Sequence, residues 1–94
     1  MRTIDKKLFD AVSIGDIDTV KFLLASGVNV NVTDTDGCTP LHRAALNDNI
    51  DMVNFLLANG ANPNAKTNNE ETAIYWASKD EIREVLKKAM EEKK

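Results

Sequence analysis

Ninety-four residues with 43% hydrophobic and 29% charged content, four glycines and two prolines describe one small soluble folded domain, too short for two and too apolar to stay disordered. Fifteen acidic against twelve basic residues leave a net charge of −3, and the C-terminal lysines are interleaved with glutamates, so no positive face is assembled for phosphates and no nucleic acid partner is expected. The longest apolar runs are four residues, MRTIDKKLFD lacks a signal-peptide core, and a single cysteine cannot close an internal disulfide, which together point to the cytoplasm and to no membrane partner.

Taken from the N-terminus, Thr3 is expected to cap a helix through Leu8, Ala11 and Val12, with Asp5, Lys6 and Lys7 in its first turn. Asp16 caps a second helix, and Gly27 stops it in the left-handed conformation that glycine adopts without a Cβ clash. Asp34-Thr35-Asp36-Gly37 is turn chemistry. Thr39-Pro40 opens a third helix, the hydroxyl accepting an orphan backbone N–H and the proline sitting where none is needed, and this helix should run to about Leu46. Asn49 caps a fourth, in which Ile50, Val53, Leu56 and Leu57 recur at helical spacing before Gly60 ends it and Asn62-Pro63-Asn64 turns the chain. Further on, Ile82, Val85, Leu86, Ala89 and Met90 form one stripe of a helix whose wet side is Arg83, Glu84, Lys87, Lys88, Glu91 and Glu92.

These elements recur. KFLLASGVNVN at 21–31 returns as NFLLANGANPN at 54–64, an offset of 33 residues, and the same offset pairs twelve identical residues among the twenty-six that link 8–33 to 41–66. It also pairs Thr39 with Thr72 and Ala44 with Ala77, after which the third copy loses four residues. Each copy reads as helix, turn, helix, hairpin.

Asp34, Gly37, Thr39-Pro40-Leu41-His42, Ala44-Ala45, Val53, Leu56-Leu57, Gly60-Ala61 and Asn64-Ala65 resemble the 33-residue unit of the ankyrin repeat family almost position for position. The resemblance implies an all-α repeat fold, an α-solenoid of stacked helix-turn-helix units joined by β-hairpin-like loops. It divides the single domain, 1–94, into an N-terminal capping repeat (1–33), a full central repeat (34–66) and a divergent C-terminal capping repeat (67–94). Terminal units of a stack must present one face to water and are expected to be atypical. The sequence departs from the family where Gly-His is usual between helices, reading Gly15-Asp16 and Asp48-Asn49, and where Thr-Pro-Leu-His becomes Thr72-Ala73-Ile74-Tyr75. The four-residue loss leaves open whether the last two helices stay separate or fuse.

Chemistry has little to work with. A zinc site needs three or four sulfur or nitrogen ligands, and Cys38 and His42 supply one of each, with the Thr39-Pro40 helix start between them. His42 is read as a hydrogen-bonding tie between adjoining repeats, and Cys38 as an exposed variable position with no base or cation to lower its pKa. Asp34/Asp36 and Glu70/Glu71 are solvated turns, too short in oxygen-rich loop for calcium. Tyr75 and Trp76 are expected to pack across the last repeat interface.

The resemblance therefore implies a non-enzymatic protein–protein interaction module, monomeric and without a cofactor, whose partner is another protein held by the hairpin tips and the concave first-helix surface. The positions it assigns to binding are Ser13, Ile14, Thr35, Asp36, Cys38, Leu46, Asn47, Asn68, Asn69, Glu71 and Lys79, with Ile14 and Leu46 as aliphatic anchors near the groove centre. The alternative is a small acidic inhibitor or immunity-type protein that blocks a basic active site through Asp36, Glu70 and Glu71.

Overall fold

The computed structural model describes residues 2–92, so the outer limits of the expected terminal repeats, at 1 and 94, lie outside the described residues. Six helices run in order as α1 (Thr3–Ile14), α2 (Ile17–Ala25), α3 (Pro40–Leu46), α4 (Ile50–Ala58), α5 (Ala73–Trp76) and α6 (Asp80–Glu92), with no strand among the described residues. They pair within each repeat and stack between repeats: α3 packs on α1 and on α5, and α4 on α6.

Local chemistry sets the helix ends. Asp16 accepts the Thr19 N–H at 3.1 Å and the Thr19 hydroxyl at 2.6 Å, and Asn49 accepts the Met52 N–H at 3.0 Å, so both expected caps form. Gly15, Gly27 and Gly60 all sit at positive φ just after a helix. Asp48, one repeat on from Gly15, takes the same left-handed conformation at φ 58° and offers its carboxylate to the Ser78 hydroxyl at 3.0 Å. The N-terminal expectation needs correcting: Thr3 is already helical, Arg2 holds the cap position, and no side chain caps it. Arg2 instead grips the buried Asp5 carboxylate through two contacts of 3.0 and 3.1 Å.

Those hydrogen bonds hold the Asp5 and Asp16 carboxyls below the usual carboxylate range, Asp5 through Arg2 and Asp16 through Thr19. A depressed native pKa contributes stability that is complete above the unfolded value, near 3.9, and is lost as pH falls through the native value. Urea midpoints should therefore fall between pH 5 and pH 3, and the fall should be shallower in an Asp16→Asn variant, which keeps a capping oxygen but cannot titrate. An equal fall in both proteins would count against Asp16 as a contributor.

The core follows the repeat period. Leu8, Val12 and Val20 from the first repeat, Leu41, Ala44, Ala45, Met52, Val53 and Leu56 from the second, and Ala73, Ile82 and Leu86 from the third form one buried cluster. In α6, Ile82 and Leu86 are buried while Arg83, Glu84, Lys87 and Lys88 are exposed, as the stripe predicts. The last two helices remain separate. Helix α5 stops after one turn because Ala77 turns extended (ψ 130°), and Arg83 from α6 donates to the carbonyls of Ile74 at 2.8 Å and Ala77 at 3.1 Å.

Candidate functional site

The loops between helix pairs are built twice from different residues. In the first, the Asp34 carboxylate accepts the N–H of Asp36 (2.9 Å) and of Cys38 (3.0 Å); in the second, the Thr67 hydroxyl accepts those of Asn69 (3.1 Å) and Glu71 (3.3 Å). Backbone bonds from Asp34 N to Cys38 O, 3.0 Å, and from Thr67 N to Glu71 O, 2.9 Å, close both as hairpins. At the tips Gly37 has φ 81° and its counterpart Glu70 φ 66°.

The two tips are fastened to each other. Asn68 donates its backbone N–H to Asp36 O at 2.9 Å and its side-chain amide to Thr35 O at 3.0 Å. A Cβ on Gly37 would stand 2.8 Å from Asn68 N, so this approach requires glycine. Below them, His42 Nδ1 receives the Thr39 N–H at 3.1 Å, and that donor fixes the other nitrogen as the protonated one; Nε2 then donates to Glu71 O of the next hairpin at 2.8 Å. His42 is buried and is the expected tie between repeats.

Of the residues assigned to binding, Thr35, Asp36, Asn68 and Asn69 are exposed on the joined tips, and Ser13, Leu46, Asn47 and Lys79 are exposed around the inner helices. Leu46, 52% exposed, ends α3, and Asn47 beside it donates to Ser13 O of the preceding repeat at 3.3 Å. Lys79 lies off the helices, next to Ser78 in the short link before α6.

Three assignments change. Cys38 is only 4% exposed, the reverse of the expected open position, and its burial, with Asp34 and Asp36 nearby, pushes the thiol pKa up and away from reactivity. Glu71 is half-buried and occupied internally, accepting the Trp76 indole N–H at 3.1 Å and the Thr67 hydroxyl at 3.3 Å. Ile14 is 78% exposed but lines a cleft between α1 and α2 with Ala11, Thr19 and Leu23, on the outer side of the first repeat. The aromatic pair also divides: Trp76 sits edge-on to His42 across the interface, 5.7 Å between centroids, while Tyr75 stands out at 71% exposure. Arg43 escaped notice in the sequence; it reaches Asp34 at 3.7 Å and lies 5.8 Å over the Phe9 ring, tying the first hairpin to the first repeat.

Among the described residues no group of histidine, cysteine and carboxylate side chains could hold a metal, and no helix is long and apolar enough to cross a membrane. A family model described as ankyrin repeats, in three copies, matches residues 8–93. The chain belongs to the ankyrin repeat family. Ankyrin repeats are in general protein–protein interaction modules. The ankyrin chain is 36% identical over 79 residues, 84% of its length, to human "BCL-6 corepressor-like protein 1", covering 4% of that protein. It is 56% identical over 41 residues, 43% of its length, to "Palmitoyltransferase akr1" of Schizosaccharomyces pombe, of which this covers 6%. It is 48% identical over 42 residues, 45% of its length, to "Putative ankyrin repeat protein FPV223" of Fowlpox virus, of which this covers 30%. The chain thus spans a small part of the curated relatives it matches.

Proposed function

We propose that this ankyrin chain is a non-enzymatic scaffold that seats a partner protein against the joined hairpin tips and the inner-helix surface beside them. The observation that carries the reading is Leu46, an exposed aliphatic side chain at the end of α3, rimmed by polar Ser13 and Asn47. A rigid apolar anchor with a polar border is the pattern that concentrates binding energy. The tips are supported by Asn68 and His42 before any partner arrives, which reduces the ordering cost of association. The reading uses no cofactor or nucleic acid and places the protein in the cytoplasm, in keeping with a lone, buried, reduced cysteine. The acidic-blocker alternative gains no support: Glu71 is committed to Trp76, and Glu70 lies 3.5 Å from Lys66.

Affinity capture with immobilised wild-type chain and a Leu46→Asp control tests the reading. The captured protein should be retained by wild type and weakened by about 2 kcal/mol, roughly thirty-fold, in Leu46→Asp at unchanged melting temperature. Undiminished binding by Leu46→Asp and by Asp36→Ala/Asn69→Ala would refute the surface.

A further inference from the structure

Ser26 and Asn59 hold the same place one repeat apart, at the C-terminal ends of α2 and α4, and play the same part there. Each donates to the carbonyl four residues back, Ser26 Oγ to Phe22 O at 2.9 Å and Asn59 Nδ2 to Phe55 O at 2.8 Å. Their chemistry differs. A hydroxyl in this place is inert, whereas the Asn59 carboxamide carries an electrophilic carbon next to the backbone nitrogen of Gly60, which no Cβ screens. Of the ten asparagines in the chain, Asn59 alone precedes a glycine; Asn62 precedes a proline, which has no N–H, and the rest precede residues with side chains. Asn59 and Gly60 are exposed with the first and third repeats in place on either side, and a Cβ at Gly60 would meet nothing within 4 Å.

We propose that Asn59 is a site of self-modification, at which the chain loses ammonia and gains a carboxylate. Gly60 N attacks Asn59 Cγ, the Cγ–Nδ2 bond breaks, and the amide proton passes through water to the departing nitrogen, leaving a five-membered succinimide and ammonia. Water then opens the ring at either carbonyl, so asparagine plus water becomes aspartate or isoaspartate plus ammonia, with no oxidant or reductant involved.

The fold sets the pace. At ψ 19° Asn59 holds Gly60 N turned away from the Cβ–Cγ bond that must close on it, Gly60 N donates to Leu57 O at 3.1 Å, and Nδ2 donates to Phe55 O. The ring therefore forms only when the last turn of α4 opens, and helix ends are where opening costs least.

The product does not fit where the reactant did. A carboxylate cannot donate to Phe55 O, and it sets a negative charge at the negative end of α4, which has no basic residue in its last turn. Isoaspartate also inserts one carbon into the main chain just before Gly60. Gly60 O accepts the Asn31 side-chain amide at 3.1 Å, and Asn31 Oδ1 accepts the Asn62 N–H at 2.8 Å. These two bonds tie the first repeat to the second, so the modification loosens the joint between them.

Ageing the full chain at mildly alkaline pH, in buffer and in guanidinium chloride, tests this through ammonia release and peptide mapping. Residue 59 should be the first to lose its amide, about ten-fold more slowly in buffer than in denaturant. In the separated isoaspartate product the Asn62 amide should exchange faster and the melting temperature should fall by several degrees. Gly60→Ala should slow the loss about ten-fold in guanidinium chloride, where its own effect on stability no longer counts. Asn59→Ser, which copies Ser26, should release no ammonia from this position and keep a melting temperature unmoved by ageing. Earlier loss at another asparagine, equal rates in buffer and denaturant, or an Asn59 still intact in buffer after roughly a hundred half-times of the denatured chain would overturn the proposal. So would an unslowed Gly60→Ala, or an isoaspartate product whose Asn62 amide and melting temperature are unchanged.

Discussion

His42→Ala should destabilise the protein by about 3–5 kcal/mol, a large share of the roughly 5–14 kcal/mol available to a domain of this size. The imidazole is buried, and both nitrogens are engaged: Nδ1 accepts from Thr39 N at 3.1 Å and Nε2 donates to Glu71 O at 2.8 Å. Truncation leaves the buried Thr39 N–H without a partner, strips Glu71 O of one of its two donors, Thr67 N remaining, and opens a void under Trp76, whose edge meets the ring at 5.7 Å. His42→Asn is the informative control. Its carboxamide oxygen can still accept from Thr39 but cannot span to Glu71, so its urea midpoint should fall between those of wild type and His42→Ala. Amide exchange should quicken at Thr67–Glu71 in both variants. Equal midpoints for His42→Ala and wild type would remove His42 as the link between the second and third repeats.

Gly37→Ala should cost about 3–4 kcal/mol, whereas Gly60→Ala should cost only about 1–2 kcal/mol. Both glycines have strongly positive φ, 81° and 93°, so the backbone penalty is common to the two. The difference is contact. A methyl at Gly60 meets nothing within 4 Å, while at Gly37 it meets Asn68 Oδ1 at 2.7 Å and Asn68 N at 2.8 Å. The backbone atom cannot swing aside as a side chain would, so the bond from Asn68 N to Asp36 O must lengthen. Asn47→Ala, which removes one exposed 3.3 Å hydrogen bond, should cost less than either, and a branched Gly60→Val should exceed it clearly. Equal melting temperatures for Gly37→Ala and Gly60→Ala would show that the tips do not meet as described.

Helix ends and repeat boundaries were legible in the sequence because they depend on neighbours a few residues away. Asp16, Thr39 and Asn49 cap helices that start beside them, and Gly60 ends one by its own dihedral. The offset of 33 then gave the stacking order. What escaped notice depended on residues a repeat away or on the 100° turn between successive helical positions. Tyr75 and Trp76 are adjacent, yet only Trp76 faces His42; Ser13 and Ile14 are adjacent, yet Ile14 lines the outer cleft. Cys38 reads as open from its own hairpin, and its burial became visible only with the folded chain. The length of α5 was illegible for a similar reason, since the arginine that donates to the carbonyls at its end lies on α6.

The side-chain rungs between repeats, Asn31 to Gly60, His42 to Glu71, Ser78 to Asp48 and Asn47 to Ser13, join residues 29 to 34 positions apart. Every rung therefore asks the unfolded chain to close a loop of nearly the same length, at nearly the same entropic cost. Lengthening such an array adds rungs without adding longer loops, so its relative contact order falls as it grows, and size alone does not slow its assembly.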